Sequence, residues 1–413
     1  MQNYWEKLSK EAIKDRIFAA LEKNSNFYDS KVIGVPASHL DNKVFYQDAP
    51  FLQDAPFLTS LIHNPNHIGC HTLGSSESFF KGTQEIEREL IELCATKILN
   101  GASANQYDGY VASGGTEANL QAIWMYRNFF KKEYKIKNEN IAILCSEDKH
   151  YSIDKASDVL QVPMVKITVS HQSRIIEKKY LEKVIAEKQA KGTNHFIVIA
   201  NMMTTMFGSV DPVSTYIEAL ENAGAVYKVH VDGAYGGFFY PFTDANDKLD
   251  FSNTKITSVT LDAHKMVQAP YGTGIFLVEK EMIQYTNTKE ASYVEGEDFT
   301  LIGSRSGANA IAVWMILMTY GRFGWEEKIM ILLKRTSWLA LQLDQIEVKY
   351  YRNAYSNILT MEASQIPIAL VKKYGLVPDN HRQPAWYKIV VMEHVSVDSL
   401  LAFINDLKKS IDN

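Results

Sequence analysis

Cysteine is scarce in this chain of 413 residues: Cys70, Cys94 and Cys145 are odd in number and widely spaced. That suits neither a disulfide framework nor a zinc site, and it points to small core residues. Also missing is any apolar run of the roughly 18 residues that a bilayer span needs. The opening MQNYWEKLSKEAIKDRIF carries acids and lacks the apolar core of a signal peptide, so a cytoplasmic protein is expected. Charge of one sign is not in excess either. The formal net charge is −5 with no Lys/Arg-rich stripe, which argues against nucleic acid as a partner. What remains, 46% hydrophobic and 22% charged, is enough to bury a large core and to form more than one domain.

The stretch that organises the chain is SVTLDAHKMVQAPYGTGIFLV, Ser258 to Val278. An alternating apolar run, with Val259 and Leu261 on one face, ends in Asp262, Ala263, His264 and Lys265. A strand end in an α/β sheet is a usual place for a catalytic side chain, and an amine partly withdrawn from water becomes the nucleophile of Schiff-base chemistry. Lys265 is therefore a candidate Schiff-base lysine. Taken alone it fits equally well a lysine that snorkels to the surface.

Residues 1 to about 60 read as an arm with little core of its own, suited to lie across a partner subunit. The arm contains QDAPFL twice, at Gln47–Leu52 and Gln53–Leu58, where proline favours extended or turn structure. NPNHIGCHTLGSSESFF, from Asn64, is a loop whose His67 and His71 are open to two readings, pocket residues or exposed ones. FKGTQEIERELIELCATKIL then takes a helical period. Thr83 is its candidate cap, and Ile86, Leu90, Leu93 and Ile98 face a core. In YVASGGTEANLQAIWMYRN, Gly114, Gly115 and Thr116 open an amphipathic helix and make a candidate anion cradle, since glycines let backbone amides approach an oxygen-rich group at a helix N-terminus. The GKS/T ending and the GxGxxG spacing are both absent, and an ordinary capped turn fits as well.

Six apolar runs follow: Ile141–Ser146, Met164–Val169, His195–Asn201, Val226–Asp232, Ile256–Asp262 and Gly272–Val278. Most are separated by helix-length segments such as Lys179–Lys191 and Val213–Ala223, which predicts a mostly parallel, doubly wound α/β sheet. The short link from Lys265 to Tyr271 makes the last strand antiparallel. Polar residues stand at the strand ends: His150 and Tyr151, Thr204 and Thr205, and Asp232. Such ends converge on ligands in open α/β sheets. A lysine, a carboxylate, a flat imidazole and a phosphate cradle are the parts that pyridoxal 5′-phosphate needs. Lys265 holds its aldehyde in this reading, Asp232 pairs with the pyridine nitrogen, and His150 stacks on the ring. Thr205 hydrogen-bonds the cofactor, and Gly114, Gly115, Thr116 and His264 take the phosphate, with Ala234 and Asp262 completing the cofactor-binding set. Each has a bland alternative, a turn-capping Asp or a core-edge His, and the weight lies in their joint order.

In these elements the chain resembles the group II pyridoxal-phosphate-dependent amino-acid decarboxylases of the aspartate aminotransferase-like fold type I, over roughly Asn64 to Gly307. SGGTEANL (Ser113–Leu120), SEDKHYS, HVDGAYGG and LDAHK look like the phosphate loop, ring-stacking histidine, aspartate element and lysine element of the family. FKGTQEIERELI, GSRSG (Gly303–Gly307) and HVSVDSLLAF (His394–Phe403) are similar to further signatures. The short loops are most similar to aspartate/tyrosine and histidine decarboxylases and to sphingosine-phosphate lyase. The resemblance implies catalytic roles for Lys265, Asp232 and His150, and it places Arg305 on the substrate side, where a structural ion pair is the competing reading. Where the family has GTT this chain has Met203, Thr204 and Thr205, a bulky residue for a small one. Only Val294–Ile302 separates Tyr293 from Gly303, so Tyr293 reads as a pocket residue in place of a proton donor on a long loop.

The expected organisation is an N-terminal arm (1–63), a large cofactor domain (64–307) and a small C-terminal α/β domain (308–413), with Trp386–Met392 a strand and Val397–Leu407 a helix. The resemblance implies a homodimer and the decarboxylation of an L-amino acid to its amine and CO2. Carbon–carbon lysis of a phosphorylated amino alcohol, or transamination, is the alternative chemistry of the same cofactor. His71, Tyr293 and Arg305 are the candidate substrate residues; no metal is implied, nor a nucleic-acid or membrane partner.

Overall fold

The computed structural model describes residues 4–24, 49–62, 66–68 (backbone), 78–288 and 297–411. Its central sheet has seven strands: β1 (Tyr107–Ala112), β2 (Ile141–Ser146), β3 (Met164–Ile167), β4 (His195–Asn201), β5 (Val226–Gly233), β6 (Ile256–Asp262) and β7 (Gly274–Glu279). Successive side chains in a strand point to opposite faces. Ile141, Ile143 and Cys145 of β2 accordingly enter one core, and Ala142 and Leu144 the other. A sheet buried on both faces is what near-continuous apolar strands call for. The spatial order is β1-β7-β6-β5-β4-β2-β3. Strands β2 to β6 pair in parallel, whereas β7 runs antiparallel to both β6 and β1. The reversal has the expected cause, a link too short for a crossover.

Eight helices matter for the site: α1 (Lys10–Glu22), α2 (Lys81–Glu92), α3 (Gly115–Tyr134), α4 (Ser152–Leu160), α5 (Lys178–Gln189), α6 (Val213–Asn222), α7 (Gly307–Asp344) and α8 (Val397–Ile411). The α3 and α4 helices cover one face of the sheet through Ala118, Ala122, Ile123, Tyr126, Ile153 and Ala156. The other face is covered by α1, α2, α5, α6 and the first part of α7. Ile86, Leu90, Leu93 and Ile98 are all buried there, as their spacing predicts.

Four short antiparallel strands, β8 (Tyr350–Tyr351), β9 (Ile358–Glu362), β10 (Val377–Pro378) and β11 (Trp386–Val390), form a second sheet in the order β8-β9-β11-β10. Leu359, Met361 and Tyr387 pack there on Leu339 and Leu343 of α7 and on Phe403, Ile404 and Leu407 of α8. The boundary expected at Ala308 thus falls in the first turn of α7, which serves both cores: Ile311, Trp314 and Trp325 lie in the large one. At Gly321 (φ 64°) α7 kinks, and a Cβ there would sit 2.8 Å from the Lys7 nitrogen.

That close approach seats the described part of the N-terminal stretch on its own chain. Trp5 Nε1 donates to Leu317 O (3.1 Å), Leu8 N donates to Met318 O (2.9 Å), and Trp5, Ile13, Ile17 and Ala20 join the main core of their own chain. The helical cap is also different. The α2 helix starts before Thr83, and Asn24 caps it from the end of α1: its Oδ1 accepts from the amides of Gly82 (2.9 Å) and Thr83 (3.2 Å), while its Nδ2 donates to Thr83 Oγ1 (2.6 Å). A long-range partner filled the role that local spacing assigned to Thr83. Nor are the two QDAPFL copies alike. Pro50–Asp54 is a single 3-10 turn, whereas Pro56 stands at the first position of the helix Pro56–Ile62, where its missing N–H costs nothing.

Candidate active site

The fully buried strand β6 delivers Asp262 and then turns sharply into Lys265. Lys265 Nζ lies 3.6 Å from Asp262 Oδ2, and Asp262 Oδ1 lies 2.6 Å from His264 Nδ1 as a charge contact outside hydrogen-bond alignment. Burial raises the Asp262 carboxyl above its usual range, and the nearby Lys265 and His264 oppose that shift. Asp262 Oδ2 also accepts from the Gly115 amide (3.2 Å), which ties the lysine turn to the start of α3. A Cβ on Gly115 would come within 3.0 Å of Ala234 Cβ and 3.2 Å of Asp262 Oδ2, so any side chain here would have to push these neighbours back by a few tenths of an ångström. Thr116 makes no side-chain cap for α3. Glu117 accepts the Ser113 amide instead (2.7 Å), and the Thr116 hydroxyl has no partner among the described residues.

Asp232 stands at the end of β5, beside Asn201 of β4 in register. Its Oδ1 accepts from the Ala234 amide (3.1 Å) and its Oδ2 from Asn119 Nδ2 (2.9 Å). His150 follows β2 and leads into α4, with Nδ1 2.9 Å from Ser152 Oγ and accepting the Ser152 amide at 3.2 Å. Its imidazolium is disfavoured, chiefly by burial, with Asp232 opposing and Lys265 adding to the effect. One cleft brings together His150, Asp232, Ala234, Thr205 and Lys265, walled by Asn201, Met203, Thr204 and Tyr235.

Met203 has φ 67°, a left-handed conformation in which glycine is at home, and it is buried. Where the resemblance leads one to expect a glycine, a strained methionine thus fills the cleft wall. Relief of left-handed strain is worth about 1 kcal/mol, whereas removing a buried methionine side chain costs about 2–5 kcal/mol. Met203→Gly is therefore expected to be destabilised overall and to carry a roomier cleft. A denaturant midpoint above that of the parent would show that backbone strain outweighs the lost packing.

Asn201 is in turn gripped by Asp211, whose Oδ2 accepts from the Asn201 amide (3.0 Å) and Nδ2 (2.6 Å). Burial pushes the Asp211 carboxyl up to about 7. Because this folded value exceeds the ordinary one near 4, the folded chain holds the extra proton, and this group's contribution to stability falls as pH rises from about 4 to about 7. Asp211→Asn should remove that slope, gaining on the parent toward pH 8 in denaturant titrations across the range. An unchanged difference at pH 4 and pH 8 would refute the burial argument.

Arg305 is buried and paired with the fully buried Glu87, with its guanidinium 5.0 Å from the Tyr110 ring, so the ion-pair alternative describes its surroundings. The Thr205 carbonyl accepts from Lys388 Nζ of β11 (2.8 Å), which links the small sheet to the cleft. His71 and Tyr293, the His67 side chain and Cys70 lie outside the described residues; Cys94 and Cys145 are free and buried. Asn119, Asn201 and Tyr235 belong to the site without having been expected there. The signal that could have found Asn119 is an amide on the helix face otherwise made of Ala118, Ala122 and Ile123.

An amine, a carboxylate held by two N–H donors, an imidazole and a glycine loop at a helix N-terminus are a donor set that fits pyridoxal phosphate. Set at the strand ends of a doubly wound sheet, they define a fold type I pyridoxal-phosphate enzyme. The chain belongs to the pyridoxal-dependent decarboxylase family, whose conserved-domain model matches residues 83–347. Among its relatives is the tryptophan decarboxylase of Clostridium sporogenes, 49% identical over 98% of this chain and 97% of that one. A probable L-tyrosine/L-aspartate decarboxylase of Methanocella arvoryzae is 30% identical, covering 86% and 92%. The crystal structure of L-methionine decarboxylase from Streptomyces sp. 590 shares the fold with a TM-score of 0.69 at 20% identity, covering 83% of this chain and 86% of that one. Sphingosine-1-phosphate lyase of Burkholderia pseudomallei shares it with the same score at 18% identity, covering 80% and 77%. The activity is pyridoxal-phosphate-dependent decarboxylation of an amino acid, in preference to lysis or transamination.

Proposed function

We propose that the amino acid decarboxylated is tryptophan or a close aromatic relative, and that Lys265, Asp232 and His150 are the residues that handle the cofactor. The observation that carries the substrate class is the near-full-length identity of 49% to a tryptophan decarboxylase. Met203 and Tyr235 in the cleft wall suit a flat apolar side chain.

Pyridoxal phosphate, when bound, supplies the electron sink that lets a carbon–carboxylate bond release CO2. Lys265 would supply the amine for its aldehyde, and Asp232 the carboxylate for its ring nitrogen. Gly114, Gly115, Thr116 and His264, at the α3 N-terminus, would hold the phosphate. His150 bounds the cleft as a neutral imidazole able to donate or accept one proton. Asp262 positions Lys265 and the Gly115 amide relative to each other.

The family resemblance further supports a homodimer in the cytoplasm, testable by sedimentation and by cell fractionation. Among the described residues no helix is long and apolar enough to cross a membrane.

The test is CO2 release with product mass analysis from the full chain loaded with pyridoxal phosphate, given tryptophan, tyrosine, phenylalanine, aspartate, histidine and methionine separately. CO2 with tryptamine is expected. Turnover of aspartate, histidine or methionine without any of the aromatic amino acids would overturn the substrate class.

A further inference from the structure

Asp232 and His150 are joined by a buried chain of hydrogen bonds whose proton positions can be worked out one link at a time. Asn119, 1% exposed on α3, is the branch point. Its Nδ2 donates to Asp232 Oδ2 (2.9 Å) and to Ser152 Oγ (3.0 Å), which uses both amide hydrogens. Its Oδ1 lies 3.0 Å from Nε2 of His230, a fully buried side chain of β5.

Burial pushes His230 down to about 4, so its ring is neutral and carries one proton. Asn119 Oδ1 only accepts, which puts that proton on Nε2, and Thr260 Oγ1 at 3.1 Å lies against the same N–H. Nδ1 must then accept, and Ser258 Oγ is its donor at 2.7 Å. Ser258 has only one proton to give, so it accepts from Tyr126 OH at 2.5 Å. On the other branch, Ser152 Oγ accepts from Asn119, so its own proton goes to His150 Nδ1 (2.9 Å), where the Ser152 amide also points (3.2 Å). Two donors aimed at one ring nitrogen leave it bare, and a neutral His150 carries its proton on Nε2.

The reverse arrangement fails at Asp232 and loosens the hold on His150. Turning the Asn119 amide over would set Oδ1 against Asp232 Oδ2, two acceptors face to face in a buried site. It would also turn the Ser152 hydroxyl toward Oδ1 and away from His150, whose Nδ1 would still face the Ser152 amide. Unsatisfied polar pairs of this kind are costly where water cannot reach them.

We propose that Asn119, locked in one orientation by the Nε2–H of His230, is a positioning residue that fixes the donor facing Asp232 and aims the Ser152 hydroxyl at His150 Nδ1, where it joins the Ser152 amide in holding the Nε2–H tautomer. This rests on assigning Asp232 and His150 to the cofactor, but the tautomers themselves do not depend on that assignment.

The test begins with the full chain before pyridoxal phosphate is added, labelled with 15N-histidine. Both His150 and His230 are expected to show protonated Nε2 and bare Nδ1; a protonated Nδ1 on either one overturns the proposal, whatever the substrate proves to be. Four variants follow, with thermal melts beside them. His230→Gln keeps a donor at the Nε2 position and should retain kcat for CO2 release within about threefold, whereas His230→Leu and Asn119→Ala should lower it about 10–100-fold with much less change in KM. Asn119→Ala should also shift the His150 Nδ1 signal, as the Ser152 hydroxyl is freed to turn away from it, while Asn119→Asp, with no donor for Asp232, should fail to retain the cofactor on dialysis. Equal losses in His230→Gln and His230→Leu would refute the lock, as would an Asn119→Ala protein with the parental His150 signals and kcat. If Asn119→Ala does not fold, the parental tautomers and the His230 pair decide the matter.

Discussion

Lys265→Ala is expected to bring CO2 release to the background of cofactor free in solution and to abolish the lysine-dependent visible absorption of the loaded protein. The expectation follows from position and chemistry together. Lys265 is the amine that the cleft presents beside Asp232 and His150, and a primary amine has no substitute in alanine. The fold should survive. The side chain is 27% exposed, and its contact with Asp262 at 3.6 Å is a loose one, so stability should change by no more than about 1 kcal/mol. Asp262 keeps His264 and the Gly115 amide as partners. Substantial multiple turnover by a folded Lys265→Ala protein would falsify the assignment of this lysine to the cofactor.

The largest effect on stability is expected at a pair far along the sequence from that lysine. Glu87 of α2 and Arg305, just before α7, form a buried ion pair, and Glu87 also accepts the Val111 amide at 2.7 Å. Glu87→Ala leaves a guanidinium in a site that water does not reach, at a cost of about 3–5 kcal/mol. Replacing both partners by methionine removes the two desolvation penalties together and should cost clearly less than Glu87→Ala alone. Denaturant midpoints of the single and double variants check this. A single variant within about 1 kcal/mol of the parent would mean that solvent reaches the pair. The same measurement bears on substrate recognition. An Arg305 whose charge is answered by Glu87 is a poor anchor for a second carboxylate, and the double variant should then retain its KM for the amino acid while losing stability.

Much of this organisation was legible in the residues. The strands Ile141–Ser146, His195–Asn201 and Ile256–Asp262 carry apolar runs whose ends are marked by a change to polar residues, and they have those bounds in the fold. Burial on both faces leaves a strand no other composition, which is why such runs announce themselves. Lys265, Asp232 and His150 were legible for the complementary reason: each interrupts an apolar pattern at the end where a sheet presents ligands. What misled was local reasoning about ends and caps. Thr83 had the right chemistry and spacing for a cap, yet Asn24, far away in sequence, reached the amides first. Two identical hexamers met different neighbours, and one became a turn and the other a helix.

The sequence by itself determined the class of fold and the cofactor and named the residues proposed to hold it, because these depend on hydrophobic period and on which side chains carry amine, carboxylate and imidazole. Tertiary structure alone decided which polar groups meet. It paired Arg305 with Glu87, gave Met203 a left-handed backbone in the cleft wall, and connected Asp232 to His150 through Asn119. A hydrogen bond needs its partners within about 3 Å and aligned, and chain separation says nothing about that distance until the sheet and helices have brought the two ends together.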